Sequence, residues 1–126
     1  MFKVLVVEDD KDLNKTVCSF LNHSGYEAIG CLNANDAYDA LTDHIIDLII
    51  SDIMMPRIDG YELVRRLREV GNNTPVMMIT AKDAFDDMRL GFQSGVDDYM
   101  VKPININEMV LRVGALLRRA QMIHDR

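Results

Sequence analysis

Val4-Leu5-Val6-Val7-Glu8-Asp9-Asp10 and Leu48-Ile49-Ile50-Ser51-Asp52 decide how this chain is read. Each is a short apolar run that ends in carboxylates. Runs of this length, apolar throughout, suit strands of a parallel sheet covered on both faces. If both belong to one such sheet, their carboxyl ends lie on the same edge, and Glu8, Asp9, Asp10 and Asp52 gather in one crevice. Like charge concentrated in this way is costly unless a cation or a reaction uses it.

Working outward, short apolar runs alternate with stretches of helical period. Strands are expected over Phe2–Val7, Tyr26–Cys31, Asp47–Ser51, Pro75–Ile79 and Asp98–Val101. Helices are expected over Asp9–Ser24, with Leu13, Val17, Phe20 and Leu21 on one face, and over Ala34–Asp43, Tyr61–Val70, Asp83–Gln93 and Asn105 to about Gln121. Leu63, Val64 and Leu67 form one inner stripe; Met109, Val110, Val113, Leu116 and Leu117 form another. Every crossover holds a helix, so the strands should be parallel and the connections right-handed. The expected fold is α/β, a (βα)5 doubly wound parallel five-stranded sheet, with its ligand site outside the carboxyl ends of the strands.

The 126 residues suit one domain, and 48% hydrophobic content supplies a core that needs no disulfide or metal to fold. A formal charge of −6 argues against direct nucleic-acid binding and for protein or cation partners. Cys18 and Cys31 have no ligand spacing and read as reduced, buried thiols of a cytoplasmic protein. His23, His44 and His124 read as surface residues. No apolar run approaches a membrane span.

The strand ends, read together, form a set. The first delivers Glu8 and Asp9, the third Asp52, the fourth Thr80 and the fifth Lys102. Singly these have bland explanations: acids opening a helix are often caps, and a lysine before a proline is usually solvated. Jointly they describe a hard-cation site beside a nucleophile. Carboxylates would hold Mg²⁺ (or Mn²⁺), Asp52 would attack a phosphoryl group, and Thr80 and Lys102 would contact its oxygens. Without a cation, three carboxylates against one lysine leave the pocket net negative, so phosphorylation should require metal. Asp10 reads as the helix cap.

Val6-Val7-Glu8-Asp9-Asp10, Ser51-Asp52-Ile53-Met54-Met55-Pro56 through Asp59-Gly60, Ile79-Thr80-Ala81 and Asp97-Asp98-Tyr99-Met100-Val101-Lys102-Pro103 resemble the receiver domain of two-component response regulators, which has a flavodoxin-like fold. The resemblance covers essentially the whole chain. It implies that Asp52 is the phosphoacceptor from a sensor histidine kinase. Glu8, Asp9, Asp52 and the backbone carbonyl of Met54 would bind Mg²⁺. Thr80 and Lys102 would be the switch hydroxyl and the phosphate-pairing lysine, Tyr99 a rotameric switch, and the Lys102-Pro103 peptide cis. Such a domain is a signalling switch rather than a turnover enzyme.

Asp97, Asp98, Glu108, Arg112 and Arg119 resemble the dimer face of the winged-helix transcription-factor (OmpR/PhoB-like) subfamily. That implies a phosphorylation-dependent homodimer, weakened by Met88 where the subfamily carries a cation. Residues 1–121 would be the receiver domain and residues 122–126 a tail or the start of a linker to an effector domain, through which alone DNA would be bound. A single-domain regulator acting by protein contact is one alternative. An aspartyl-phosphate phosphatase is disfavoured because Met54 stands where a second catalytic Asp is needed. A flavodoxin-like cofactor binder is disfavoured because Glu8-Asp9-Asp10 would repel a phosphate.

Overall fold

Strands β1 (Lys3–Val7), β2 (Glu27–Cys31), β3 (Leu48–Asp52), β4 (Val76–Thr80) and β5 (Asp98–Val101) form one parallel sheet in the order β2-β1-β3-β4-β5. The computed structural model describes residues 1–55, 57–81 and 95–124. The expected helix over Asp83–Gln93, with Met88 in it, lies outside the described residues. The described helices are α1 (Lys11–His23), α2 (Ala34–Asp43), α3 (Gly60–Glu69) and α4 (Ile106–His124).

Alternation along each strand builds two cores. Leu5, Val7, Ile49, Val76 and Met78 point to one face and meet Ala37 and Ala40 of α2 and Leu63, Val64 and Leu67 of α3. Val4, Val6, Leu48, Ile50, Met77 and Ile79 point to the other and meet Val17 and Leu21 of α1 and Met109, Val113, Leu116 and Leu117 of α4. All five residues of β3 and all five of β4 are buried, as strands covered on both faces must be. The doubly wound parallel five-stranded architecture read from the sequence is the one observed.

Element ends follow their caps. The Asp10 side chain accepts from Asp12 and Leu13 N–H, so α1 begins at Lys11 rather than Asp9. Asp59 accepts from Glu62 N–H and draws Gly60 into α3. The last helix runs through His124, beyond the end expected at Gln121.

One expectation for α1 needs correcting. Its inner stripe is Asn14, Val17 and Leu21, and Phe20 is 44% exposed. The helix is turned so that a polar residue, not a phenyl ring, faces the strand ends.

At the opposite edge of the sheet, the Arg68 guanidinium donates to the carbonyls of Asn72, Thr74 and Gly95, at 2.9, 2.9 and 2.8 Å. It also reaches Asp97 at 3.5 Å, and Asp97 accepts from Val76 N–H at 2.8 Å. Gly95 has a φ of +97°, and a Cβ there would stand 2.9 Å from Arg68 Nε. The end of α3, the start of β4 and the entry to β5 are thereby tied together.

Candidate functional site

Because the chain runs from β1 outward to β2 and then returns to β3 on the other side of β1, a crevice opens between the carboxyl ends of β1 and β3. This is the switch point at which open α/β sheets bind ligands. Glu8 and Asp9 follow β1, Asp52 closes β3, Thr80 closes β4, and Lys102 follows β5. The five residues taken from strand ends are thus placed on one edge.

Glu8, Asp9 and Asp52 each offer a carboxylate oxygen, and these atoms lie within 4.8 Å of one another. Asp9 is exposed, whereas Glu8 and Asp52 retain only 1% and 4% of their surface. Lys102 Nζ lies 2.7 Å from Asp52 Oδ2 and 3.1 Å from Glu8 Oε1. Met54 N–H donates to Asp52 Oδ1 at 3.1 Å, which aims the carboxylate and turns the chain out of β3. Thr80 is buried, its hydroxyl donating to the Ala81 carbonyl at 3.2 Å. The Lys102-Pro103 peptide is cis.

The electrostatics follow from burial. Glu8 is pushed up to about 7, first by desolvation and next by the adjacent Asp52 carboxylate, against a smaller opposing effect of Lys102. Burial alone would lower Lys102, but its bonds to Asp52 and Glu8 outweigh this and hold the ammonium above its usual range. Among the described residues, one lysine faces two buried acids and a third at their rim.

The donor set fits a hard divalent cation. Glu8 Oε1 is buried, and among the described residues its only close partner is the Lys102 ammonium at 3.1 Å, poorly aligned for a hydrogen bond. A buried carboxylate oxygen under-supplied with donors, beside two more carboxylates, suits oxygen-ligated Mg²⁺, with solvent reaching the site past Asp9. A pH dependence follows. Because the folded pKa of Glu8 exceeds its ordinary value of 4.5, its contribution to stability is complete below about 4.5 and lost as pH rises through about 7. At ~1.4 kcal/mol per unit this amounts to at most on the order of 3 kcal/mol. Melts in EDTA should therefore fall in temperature between pH 5 and pH 8, and saturating Mg²⁺ should remove most of that fall. A flat EDTA profile would contradict the assignment.

Tyr99 is 5% exposed, and its hydroxyl donates to that of Tyr61 at 3.2 Å. The ring is turned into the core from β5, and Tyr61 stands on the first turn of α3. Gly60, just before it, donates to the Ile53 carbonyl at 2.9 Å.

Of the residues assigned to a dimer face, Asp98 takes two bonds from Arg112 at 2.9 and 3.1 Å, and Glu108 lies 2.9 Å from the same guanidinium. Asp97 is held by Arg68 and Val76 N–H. These ion pairs close within the chain. Arg119 is exposed on α4. Cys18 and Cys31 are free, Cys31 buried and Cys18 partly so. Among the described residues no helix is long and apolar enough to cross a membrane.

The buried polar residue beside the site that sequence reading missed is Asn14. Its side chain is buried against the carbonyls at the ends of β1 and β2. The spacing of Asn14, Val17 and Leu21 was a usable signal, hidden because asparagine is polar.

Comparison with known proteins agrees with this geometry. Residues 4–114 match the response regulator receiver domain family. Transcriptional regulatory protein PcoR of Escherichia coli is 40% identical over 121 residues, 96% of this chain and 54% of that protein. Transcriptional regulatory protein CiaR of Streptococcus pneumoniae is 37% identical over 125 residues, 99% of this chain and 55% of that protein. The chain thus spans about half the length of the curated relatives it matches. The receiver domain of Francisella response regulator 1452 superposes with a TM-score of 0.89 at 33% identity, covering 95% of this chain and 99% of that one.

Proposed function

The chain belongs to the response regulator receiver domain family, and from that premise we propose that Asp52 accepts a phosphoryl group from a sensor histidine kinase. The observation that carries this is one ammonium, Lys102, bridging two buried carboxylates from different strands with Asp9 alongside. Receiver domains are signalling switches rather than turnover enzymes, and they bind Mg²⁺ at an acidic pocket. Here Glu8, Asp9 and Asp52, with the Met54 carbonyl, would hold Mg²⁺ or Mn²⁺. Bound there, the ion supplies positive charge against the phosphoryl oxygens.

The chain's own residues do the rest. An Asp52 carboxylate oxygen forms the new O–P bond while the donor's P–N bond breaks, and the bonding pair leaves with the donor imidazole. Lys102 shifts from the carboxylates to a phosphoryl oxygen. The Thr80 hydroxyl turns from Ala81 to another. Tyr99, already turned into the core against Tyr61, would be held in that inward position by the moved Thr80 and carry the change to β5 and α4.

We assign residues 1–121 to the receiver unit of a cytoplasmic protein. Its output would be transcription, through a DNA-binding effector domain of the winged-helix subfamily. The face bearing Asp97, Asp98, Glu108, Arg112 and Arg119 would control homodimerisation. Because Arg112 pairs within the chain with Asp98 and Glu108, dimerisation would exchange existing ion pairs rather than create new ones, so the dimer should be weak. Light scattering with beryllofluoride and Mg²⁺ should show a concentration-dependent dimer, and a monomer at every concentration would refute it.

Acetyl phosphate with Mg²⁺ tests the chemistry. Intact mass should rise by one phosphoryl group, and EDTA should abolish the gain. A gain that persists in EDTA would remove the metal from the reading. With no gain from any small-molecule donor, failure to take label from a phosphorylated histidine kinase as well would remove the phosphoacceptor.

A further inference from the structure

The last rung of the β1–β2 ladder is made by a side chain. The two strands are in register as far as Val7 and Cys31, and Glu8 N–H then donates to the Cys31 carbonyl at 3.0 Å. Past that point the strands part, and the Glu8 carbonyl needs a new donor. Asn14, one turn into α1, provides it: Nδ2 donates to the Glu8 carbonyl at 3.0 Å, to Cys31 at 2.9 Å and, more weakly, to Val6 at 3.4 Å. Its Oδ1 accepts from the Cys18 thiol at 3.4 Å. The amide is 5% exposed and engaged at both ends.

Opposite it, β2 makes room. A Cβ on Gly30 would lie 2.4 Å from Asn14 Oδ1 and 3.2 Å from Cys18 Sγ. Only glycine admits the amide in this place. On the other side of the turn, Asp10 N–H donates to Glu8 Oε2 at 3.3 Å. The peptide from which Glu8 and Asp9 emerge is therefore gripped by Asn14 behind and by the cap of α1 in front.

We infer that Asn14 is a positioning residue for the cation: its amide, housed by Gly30, fixes the chain where two of the three carboxylates leave β1. This rests on reading Glu8, Asp9 and Asp52 as a divalent-cation site. Mg²⁺ demands near-octahedral oxygens at short range and tolerates little displacement. Groups that hold ligands in place without touching the metal typically matter by tenfold or more in affinity.

The test measures Mn²⁺ binding to the unphosphorylated chain, by the electron paramagnetic resonance of the free ion, with Mg²⁺ as competitor. Asn14→Ser should weaken binding about tenfold. Gly30→Ala, which keeps the amide but drives a methyl against it, should do likewise and serves where Asn14→Ser does not fold. In the double variant the shorter serine leaves space for the methyl, so the second substitution should add little to the first. Val113→Ala, in the core beneath α4 and away from the site, should lower the melting temperature without moving the affinity. Asn14→Ser and Gly30→Ala both within twofold of the parent would overturn the inference. So would affinity falling in step with melting temperature across all variants, Val113→Ala included. A parent chain that binds no Mn²⁺ would instead overturn the cation site itself.

Discussion

Asp52→Asn will take no phosphoryl group from acetyl phosphate and Mg²⁺, and yet will melt at or above the temperature of the parent chain. The amide has the size of the carboxylate and can still accept from Met54 N–H, so the turn out of β3 should hold. What disappears is the charge. An amide oxygen is too weak a nucleophile to open a P–N or P–O bond, and a loss of more than about a thousandfold is expected. Stability should move the other way, because Asp52 is one of the causes that raise Glu8. Removing it ends that repulsion and leaves Lys102 to pair with Glu8 alone at 3.1 Å. Intact mass and a thermal melt on one preparation decide the matter. A persisting mass gain would place the acceptor elsewhere, and a large drop in melting temperature would show that Asp52 is structural.

Gly60→Ala should damage both fold and site. Its Cβ would sit 2.5 Å from the Asp52 carbonyl oxygen, 2.9 Å from Met78 Sδ and 3.0 Å from Met78 Cε. The methionine can swing aside, but the carbonyl belongs to the buried end of β3 and cannot. Alanine is the better helix former by about 1 kcal/mol, yet overpacking of this kind costs roughly 1–3 kcal/mol and here acts on backbone. A net loss of up to about 2 kcal/mol, or up to roughly 10 °C in melting temperature, is expected. Phosphorylation should slow as well, since relief of the clash moves the peptide that carries the acceptor. Met78→Ala added to Gly60→Ala should restore neither, because the backbone contact is untouched. A Gly60→Ala variant that melts with the parent would show that α3 is not seated on Asp52 as closely as described.

The strands were legible because parallel strands buried on both faces spell themselves out as apolar runs, and Val4–Val7 and Leu48–Ile50 have no competing interpretation. The site was legible for the same reason. Once strand ends are known, Glu8, Asp9, Asp52, Thr80 and Lys102 fall on one edge without further assumption. What resisted was rotation about the helix axis. Of Leu13, Val17, Phe20 and Leu21, three do pack on the core, but hydrophobicity wrongly adds Phe20 and leaves out Asn14. The choice is made by carbonyls at the ends of two strands distant in sequence, which no local pattern records. The ion pairs of Asp98, Glu108 and Arg112 were hidden for a related reason, since a charge pattern does not state whether its partners lie in the same chain.

The order β2-β1-β3-β4-β5 also governs when the site comes into being. Its groups are contributed at residues 8, 9, 52, 80 and 102, so a chain emerging from the ribosome carries Asp52 long before it carries Lys102. Until β5 docks beside β4, Glu8 and Asp52 have no Lys102 between them. Closing so long a stretch is entropically uphill until contacts repay it. On the proposed reading, competence to be phosphorylated would be a property of the finished sheet, and a chain cut short before residue 102 would hold Asp52 and Glu8 without the ammonium that lies between them.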